Sequence, residues 1–449
     1  MFSKKLLFNS TILSIPGLIS IFISLLAIPI HLKIAGIENY GNYIIFHILL
    51  SISFLLNLGI PKSTVISINN FPKYKKEVAF DSIKFTSYIS IIILIFLIIF
   101  SVFFSQSLND YEFFLLNYSF AGIIISLFFL SYESILLGNE KFKFASFFNF
   151  IFYSISLSGP SIILIFFENL DVKNLITIST IIKLIVIFIM LFVLINKKLI
   201  KRKNNYILFK NLKKNSKWLT LNSILVQFYD VFDKYLIKIF LGPVALATYS
   251  IPQQITGKLS VVSKGFSAFL LTFLAKKKIN NNDFNASLVI FLKILPVIIF
   301  LFFPLYSMLL KLWLGDQFNQ DIVDLTKIFS LSVIFGCSSH ILVTKFEASQ
   351  ILKENLKFET ILLPFFLVCI FLLIFKSFPL FVISLAILGK EIILLMFRIN
   401  FLKKEIINVK KYYYYLLAFT LMLFFSFYSQ ILFFLLEAIL IIILTKYDK

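Results

Sequence analysis

The chain has 449 residues, 59% of them hydrophobic and 14% charged, with a formal net charge of +21. Soluble domains carry about 25% charged residues, so a water-soluble fold of this size would lack the charges to cover its surface. The apolar content excludes a disordered chain. Two cysteines, Cys337 and Cys369, both inside apolar runs, exclude a disulfide scaffold. What remains is an all-α polytopic membrane protein. Arginine occurs only at Arg202 and Arg398; with abundant Lys, Ile, Phe and Asn this points to A/T-rich coding rather than to a functional preference for lysine.

A bilayer core takes roughly 20 apolar residues per helix. Runs of that kind fall near 10–30, 42–60, 85–104, 113–137, 145–167, 174–196, 218–241, 248–275, 286–314, 325–350, 359–375, 380–402, 412–428 and 430–445. They predict about fourteen transmembrane helices, and residues 412–444 read either as a hairpin or as one long tilted helix. The runs are long and continuous, unlike the short alternating strands of a membrane barrel. The first is too long for a removable signal peptide, and no small-residue cleavage site follows it.

Lysines alternate between the two sides of these spans. One side carries Lys4 and Lys5, Lys62 to Lys84, Lys141 and Lys143, the basic stretch 197–217, Lys276 to Lys278, Lys353 and Lys357, Lys403 to Lys411, and Lys446 and Lys449. The other side carries only Lys33, Lys173 and Lys376. Positive residues stay inside, so both termini are expected in the cytoplasm. Most of the +21 is then topogenic or meets anionic membrane lipid, and no nucleic-acid role is expected. The outer connections, such as 32–41 and 315–324, are short, and the inner ones, 61–84 and 197–217, are only somewhat longer. They leave no room for a soluble catalytic domain.

The second half of the chain echoes the first. The thirteen residues from Tyr132 to Phe144 align without gaps on Phe346 to Phe358, placing Glu133 on Glu347 and Lys143 on Lys357. A second register places Gly36 on Gly242, Tyr43 on Tyr249 and Gly59 on Gly265. Spans 1–6 thus repeat as spans 7–12, and six being even, both halves keep one orientation: a parallel repeat. The expected organisation is a six-helix lobe over 1–196, a cytoplasmic basic linker over 197–217, a second six-helix lobe over 218–402, and two extra C-terminal helices over 403–449. Parallel repeats of this type enclose a central cavity.

Several stretches resemble a family. Gly36-Ile37-Glu38-Asn39-Tyr40-Gly41-Asn42-Tyr43, followed by Asn57-Leu58-Gly59-Ile60, is similar to the start of Wzx-type polysaccharide flippases. Asp233-Lys234-Tyr235-Leu236-Ile237, leading to Leu241-Gly242 and Tyr249-Ser250, and Leu310-Lys311-Leu312-Trp313-Leu314-Gly315 look like the same family. The resemblance covers about residues 5–400. It implies the multidrug/oligosaccharidyl-lipid/polysaccharide (MOP) exporter fold. The implied activity is transfer of an undecaprenyl-diphosphate-linked oligosaccharide between the leaflets of a bacterial inner membrane. A polysaccharide polymerase and a chain-length regulator are the partners it implies. No cofactor is expected.

Ionisable residues inside spans are costly, about 2.5–3.5 kcal/mol near the bilayer centre on insertion scales, and so are functional candidates. Lys311, Lys327, Lys345, Lys390 and Arg398 lie near span ends and are expected to snorkel to headgroups. Spans 7 and 8 differ. Ser223, Gln227, Asp230, Lys234 and Lys238 share one helical face. Gln253, Gly257, Ser260, Lys264 and Ser267 share another, widened by Gln254 and Lys258. Mutual neutralisation would explain some of these charges: Asp230 with Lys234, Asp233 with Lys258 or Lys264. The remainder points to a cavity of net positive potential, with Lys234, Lys258, Lys264, Gln253, Gln254 and His47 as substrate-binding candidates. Asp230, Asp233, Glu133 and Glu347 are candidates for gating or ion coupling. Glu133 and Glu347, one turn inside their helix ends, are placed to latch the cytoplasmic side through loop lysines or to carry a proton; a plain interfacial salt bridge, for instance with Lys141, is the alternative. For His47 a buried histidine bonded to a hydroxyl is the favoured alternative, and His340 has the same two readings.

An anionic passenger fits such a cavity. A drug exporter of the same superfamily would be expected to line it with unpaired carboxylates, and a polymerase would be expected to have a large outer loop rich in arginine or histidine. A lipid II flippase stays open, since nothing in the sequence names the sugar. No nucleophile–base pair, metal cluster or glycine-rich phosphate loop is present, so neither enzyme activity nor a metal site is expected.

Overall fold

The computed structural model describes residues 19–20, 22–23, 26–104, 110–167, 170–201, 206–275, 284, 299, 303–349 and 352–402. Predicted spans 13 and 14, most of span 9 and the start of span 1 lie outside the described residues. Among those residues the chain is helical with no strand. Nine helices among the described residues are long and apolar enough to cross a membrane, and a shorter one, α1, covers Leu26–Ala35. One of the nine, Trp218–Gly257, contains two arms meeting at a bend.

In chain order α1 is followed by α2 (Ile37–Leu50), α3 (Ile52–Leu56) and α4 (Ile60–Asn70). Next come α5 (Lys75–Phe104), α6 (Asp110–Gly138), α7 (Phe142–Asn149), a π-helical turn (Phe150–Ile155), α8 (Ser156–Ile163) and α9 (Val172–Asn196). The second half opens with α10 (Tyr206–Ala275) and continues with α11 (Tyr306–Leu314), α12 (Gln320–Ala348), α13 (Leu352–Phe375) and α14 (Leu380–Phe401).

Three connections differ from the sequence expectation. The outer loop expected over 32–41 is a single residue, Gly36, between α1 and α2. The turn between spans 7 and 8 is likewise a bend within α10 at Gly242. The two glycines share one backbone conformation, φ 83° and ψ 163° at Gly36 and φ 86° and ψ 177° at Gly242, a region essentially closed to side chains. These are the positions the repeat superposes. The third difference is the inner loop expected from residue 61. It is α4, a helix with Ser63, Thr64, Val65, Ile66 and Ser67 buried. Span 2 is therefore a broken run from α2 to α4, interrupted at Leu58 (φ 49°) and Gly59 (φ 65°). The break is held by the Asn57 carboxamide, whose Oδ1 accepts from the Gly59 N–H at 2.8 Å. The matching position in the second half, Gly265, stays helical, and α10 runs through it to Ala275.

Span 5 is interrupted differently. Pro160 lies inside α8, and a proline has no N–H for the carbonyl four residues back. That carbonyl, of Ser156, and its neighbour on Leu157 are met by the Tyr43 hydroxyl, at 3.4 and 2.9 Å. With no water in a bilayer core, every backbone group freed by a break needs such a partner.

Two belts of exposed aliphatic and aromatic side chains face outward. Ile91, Ile92, Leu94 and Ile95 form one on α5, and Phe365, Val368, Leu372 and Phe375 another on α13; both suit contact with lipid tails. α12 is the opposite case, enclosed along most of its length. Its Ser330, Ser332, Gly336, Ser338 and Ser339 are small enough to let neighbouring helices approach. The two halves meet where α2 and α4 pack against α10. A Cβ on Gly41 would stand 2.6 Å from the Pro243 carbonyl oxygen, so only glycine permits that approach.

Gly242→Ala is expected to cost about 1–3 kcal/mol through the strained backbone it would create. A lowered unfolding midpoint of the detergent-purified chain, relative to Ala247→Gly in the adjoining helix, checks this.

Candidate functional site

The candidate residues on α10 divide between what is described and what is not. The side chains of Gln227, Asp230, Lys258 and Lys264 lie outside the described residues, although all four positions are helical. Asp233 is buried at 1% exposure. Its carboxylate accepts from the Tyr249 hydroxyl at 2.5 Å and from the Lys234 backbone N–H at 2.8 Å. Tyr249 comes from the second arm of α10, so this bond ties the two arms across the bend at Gly242. The bond gives Asp233 a partner other than the lysines expected for it. Lys234 is half-buried beside it, and Gln253 and Gln254 are half-buried on the second arm.

Gln254 makes a contact between the halves: its Oε1 accepts from the Tyr40 hydroxyl of α2 at 3.1 Å. Around it Ile28, Leu32, Tyr40 and Ile44 pack with Ala247, Ile251, Leu314 and Ile322 in one apolar cluster. His47, one turn along from Tyr43, packs edge-on against that ring at 4.8 Å and against Phe46 at 5.1 Å. It belongs to the interior of the first half.

The repeat-related glutamates have different surroundings. Glu133 accepts from the Asn149 carboxamide at 2.5 Å, rather than from Lys141. Glu347, 3% exposed, is paired with Lys62 of α4, and Asn222 of α10 lies 3.5 Å from the same oxygen. Glu347 thus joins the two halves at the end of the bundle opposite Gly41 and Pro243. α4 delivers Lys62 there because the segment is a packed helix.

Two cations expected to snorkel do not. Lys390 is 6% exposed, with its ammonium 2.8 Å from Glu391 and over the rings of Tyr229 and Phe366. Arg398 is also 6% exposed. Its guanidinium is bonded by Glu359 and Ser339 and donates to Asn355 Oδ1 at 2.9 Å. Asn355 in turn donates to Asn222 at 3.2 Å and to Glu359 at 2.9 Å. A polar chain therefore runs from Lys62 through Glu347, Asn222 and Asn355 to Arg398, crossing α4, α12, α10, α13 and α14. Sequence spacing gave no sign of it, because its members sit singly on separate helices. His31 and Lys183 were missed for the same reason. His31 is buried and shares a hydrogen bond of 2.9 Å with Ser161.

No family model matches the chain. A curated relative, a putative O-antigen transporter of Shigella flexneri, is 23% identical over 337 residues, covering 71% of this chain and 78% of the relative. Among solved structures, a MOP-superfamily transporter from Pyrococcus furiosus superposes with a TM-score of 0.68 at 13% identity, covering 90% of this chain and 96% of that one. A MATE transporter of Vibrio cholerae in its bent form gives 0.61 at 15% identity, covering 89% and 97%. The chain has the fold of the MOP-superfamily transporters. The resemblance carried by the Gly36, Asp233 and Trp313 stretches and the fold therefore point the same way.

Removing one member of a buried ion pair costs about 3–5 kcal/mol, because the other charge is left without compensation. Arg398→Met should lower the thermal stability of the purified chain by an amount of that order. Adding Glu359→Gln to it should recover part of the loss, which a double-mutant cycle of unfolding midpoints measures.

Proposed function

We propose that the chain is a flippase that moves an undecaprenyl-diphosphate-linked oligosaccharide, an O-antigen or capsule repeat unit, from the inner to the outer leaflet of a bacterial inner membrane. The observation that carries this reading is the Shigella relative together with the MOP fold. The lysine asymmetry of the loops sets the direction, with both termini cytoplasmic. Residues 1–196 and 218–402 act as two lobes that open alternately to either side.

On this reading the Lys62–Glu347 pair, supported by Asn222, latches the cytoplasmic side. The Gly41–Pro243 approach and the Tyr40–Gln254 bond close the outer side. A diphosphate brings about two negative charges, which ammonium groups hold well as point charges. Lys234, Lys258 and Lys264 receive them, with Gln253, Gln254 and His47 offering hydrogen bonds to phosphate or sugar, while the polyprenyl tail stays in the bilayer. Asp230 and Asp233 keep the cationic stretch from repelling itself, and Glu133 is the gating counterpart of Glu347. Polymerase and chain-length regulator would receive the product at the outer face, and the chain itself performs no covalent step.

Export of cationic drugs on the same fold is the second reading, favoured by the MATE structures among its structural relatives. The two separate cleanly. Replacing Lys258 and Lys264 together by alanine should abolish surface polysaccharide in the host strain while the protein remains in the membrane and drug susceptibility is unchanged. Normal polysaccharide with altered susceptibility would give the second reading the place of the first.

The latch has its own test. Glu347→Gln should speed modification of a cysteine placed on the cytoplasmic part of α10, and Lys62→Glu combined with Glu347→Lys should restore the slower wild-type rate. Equal labelling rates in all forms would remove Lys62 and Glu347 from the gate.

A further inference from the structure

Each half buries one lysine in the last of its six predicted spans, Lys183 in α9 at 4% exposure and Lys390 in α14 at 6%. Both ammonium groups lie over two aromatic rings. Lys183 is 5.6 Å from the Phe46 centroid and 5.7 Å from that of Phe152. Lys390 is 4.7 Å from Tyr229 and 5.4 Å from Phe366. The register that superposes Glu133 on Glu347 also superposes Phe152 on Phe366. One ring of each pair, Phe152 and Phe366, is thus matched by the repeat, while the second ring comes from span 2 in one half and span 7 in the other.

The counter-charges differ as well. Lys390 has Glu391 at 2.8 Å, and Asp233 lies within electrostatic reach. Lys183 pairs with no carboxylate among the described residues. The first 25 residues, which include the undescribed part of span 1, contain no Asp or Glu. Around Lys183, α2 brings Tyr43 and His47, and α1 brings His31, whose ring lies 5.3 Å from that of Tyr43. α8 brings Ser161, and the π-helical turn brings Tyr153, packed on Phe152 at 5.2 Å. α6 brings Glu133, which acts on Tyr153 and is held by Asn149. On α9 itself the other cation, Lys173, sits at the far end.

We propose that Lys183 is a proton-binding site in the first half of the molecule. This rests on the transport reading above and adds the ion that drives it. Uptake forms one N–H bond, converting the Lys183 amine to an ammonium, with the proton supplied by water on one side of the membrane. Release breaks that bond and returns the proton to water on the other side; nothing is oxidised or reduced. The ammonium is held by the faces of Phe46 and Phe152, as cations are on aromatic quadrupoles. The neutral amine needs no counter-charge in a site that excludes water. Lys390, tied to Glu391, lacks this freedom. The π-helical turn, a feature found at working sites, carries Phe152 and gives span 5 the slack to move it on and off the ammonium.

The test uses the full chain in vesicles of phosphatidylethanolamine and phosphatidylglycerol, with hydrogen–deuterium exchange followed at pH 6 and pH 8 and corrected for the intrinsic rate. Wild type should show a pH difference in α2, the π-helical turn and α9. Lys183→Met, neutral at both values, should lose it, and so should Lys183→Arg, charged at both. If the methionine form fails to insert, the arginine form carries the same comparison. A pH difference that persists in either variant, or is missing from wild type, overturns the proposal. So does a response that follows chloride concentration at fixed pH, which would make the site one for an anion. No passenger is needed in these vesicles. Failure of the polysaccharide reading therefore shows in the Lys258 and Lys264 experiment, and failure of the proton site shows here.

Discussion

An ion taken out of water costs several kcal/mol even after the surroundings relax, and the interior of this protein is arranged around that cost. Glu347 meets Lys62, Arg398 meets Glu359, and Lys390 meets Glu391. Each pair draws its members from different helices or from adjacent positions on one, so helix packing is tied to charge placement. Asn222 and Asn355 extend two of these pairs into one chain through neutral carboxamides. A displacement of α4 from α10 would then leave Glu347 without its cation. A contact between the halves is therefore in electrostatic register with the core of the second half.

Backbone groups obey the same accounting. A membrane helix is interrupted only where something else satisfies the freed N–H and C=O groups. At Pro160 the Tyr43 hydroxyl does so, and at Leu58–Gly59 the Asn57 side chain. Tyr249, the repeat partner of Tyr43, gives its hydroxyl to Asp233 instead. One tyrosine position of the repeat thus supports a helix break in the first half and a buried carboxylate in the second.

Much of this was legible in the residues. Apolar run length located the described spans, and the register that pairs Gly36 with Gly242 matched two positions whose positive φ demands glycine, although the residues around Gly36 read as a loop rather than a one-residue bend. The limits were also physical. Residues 61–84 read as a loop because lysines and polar residues punctuate them, yet Ile60, Val65 and Ile66 bury α4 and bring Lys62 to Glu347. Arg398 read as a snorkelling residue because it lies near a span end. Only tertiary packing shows that Glu359, Asn355 and Ser339 wait for it on neighbouring helices. A single lysine in an apolar run, such as Lys183, carries no periodicity, so its direction cannot be read from spacing.

The contrast between Lys183 and Lys390 gives the asymmetry a direction. Two buried lysines over the matched rings Phe152 and Phe366 differ in their charged neighbours: a glutamate follows Lys390 in sequence and Asp233 lies within its electrostatic reach, whereas leucine follows Lys183. A neutralised pair can stay buried throughout a cycle, whereas an uncompensated ammonium favours any rearrangement that brings water or an anion to it. The half containing Lys183 is also the half with the broken span 2, the π-helical turn and Pro160. A lysine that pairs with no carboxylate among the described residues and a backbone with these interruptions thus occur in the same six helices. In the second half α10 bends at Gly242 but stays helical through Gly265, and Lys390 and Arg398 are paired with Glu391 and Glu359.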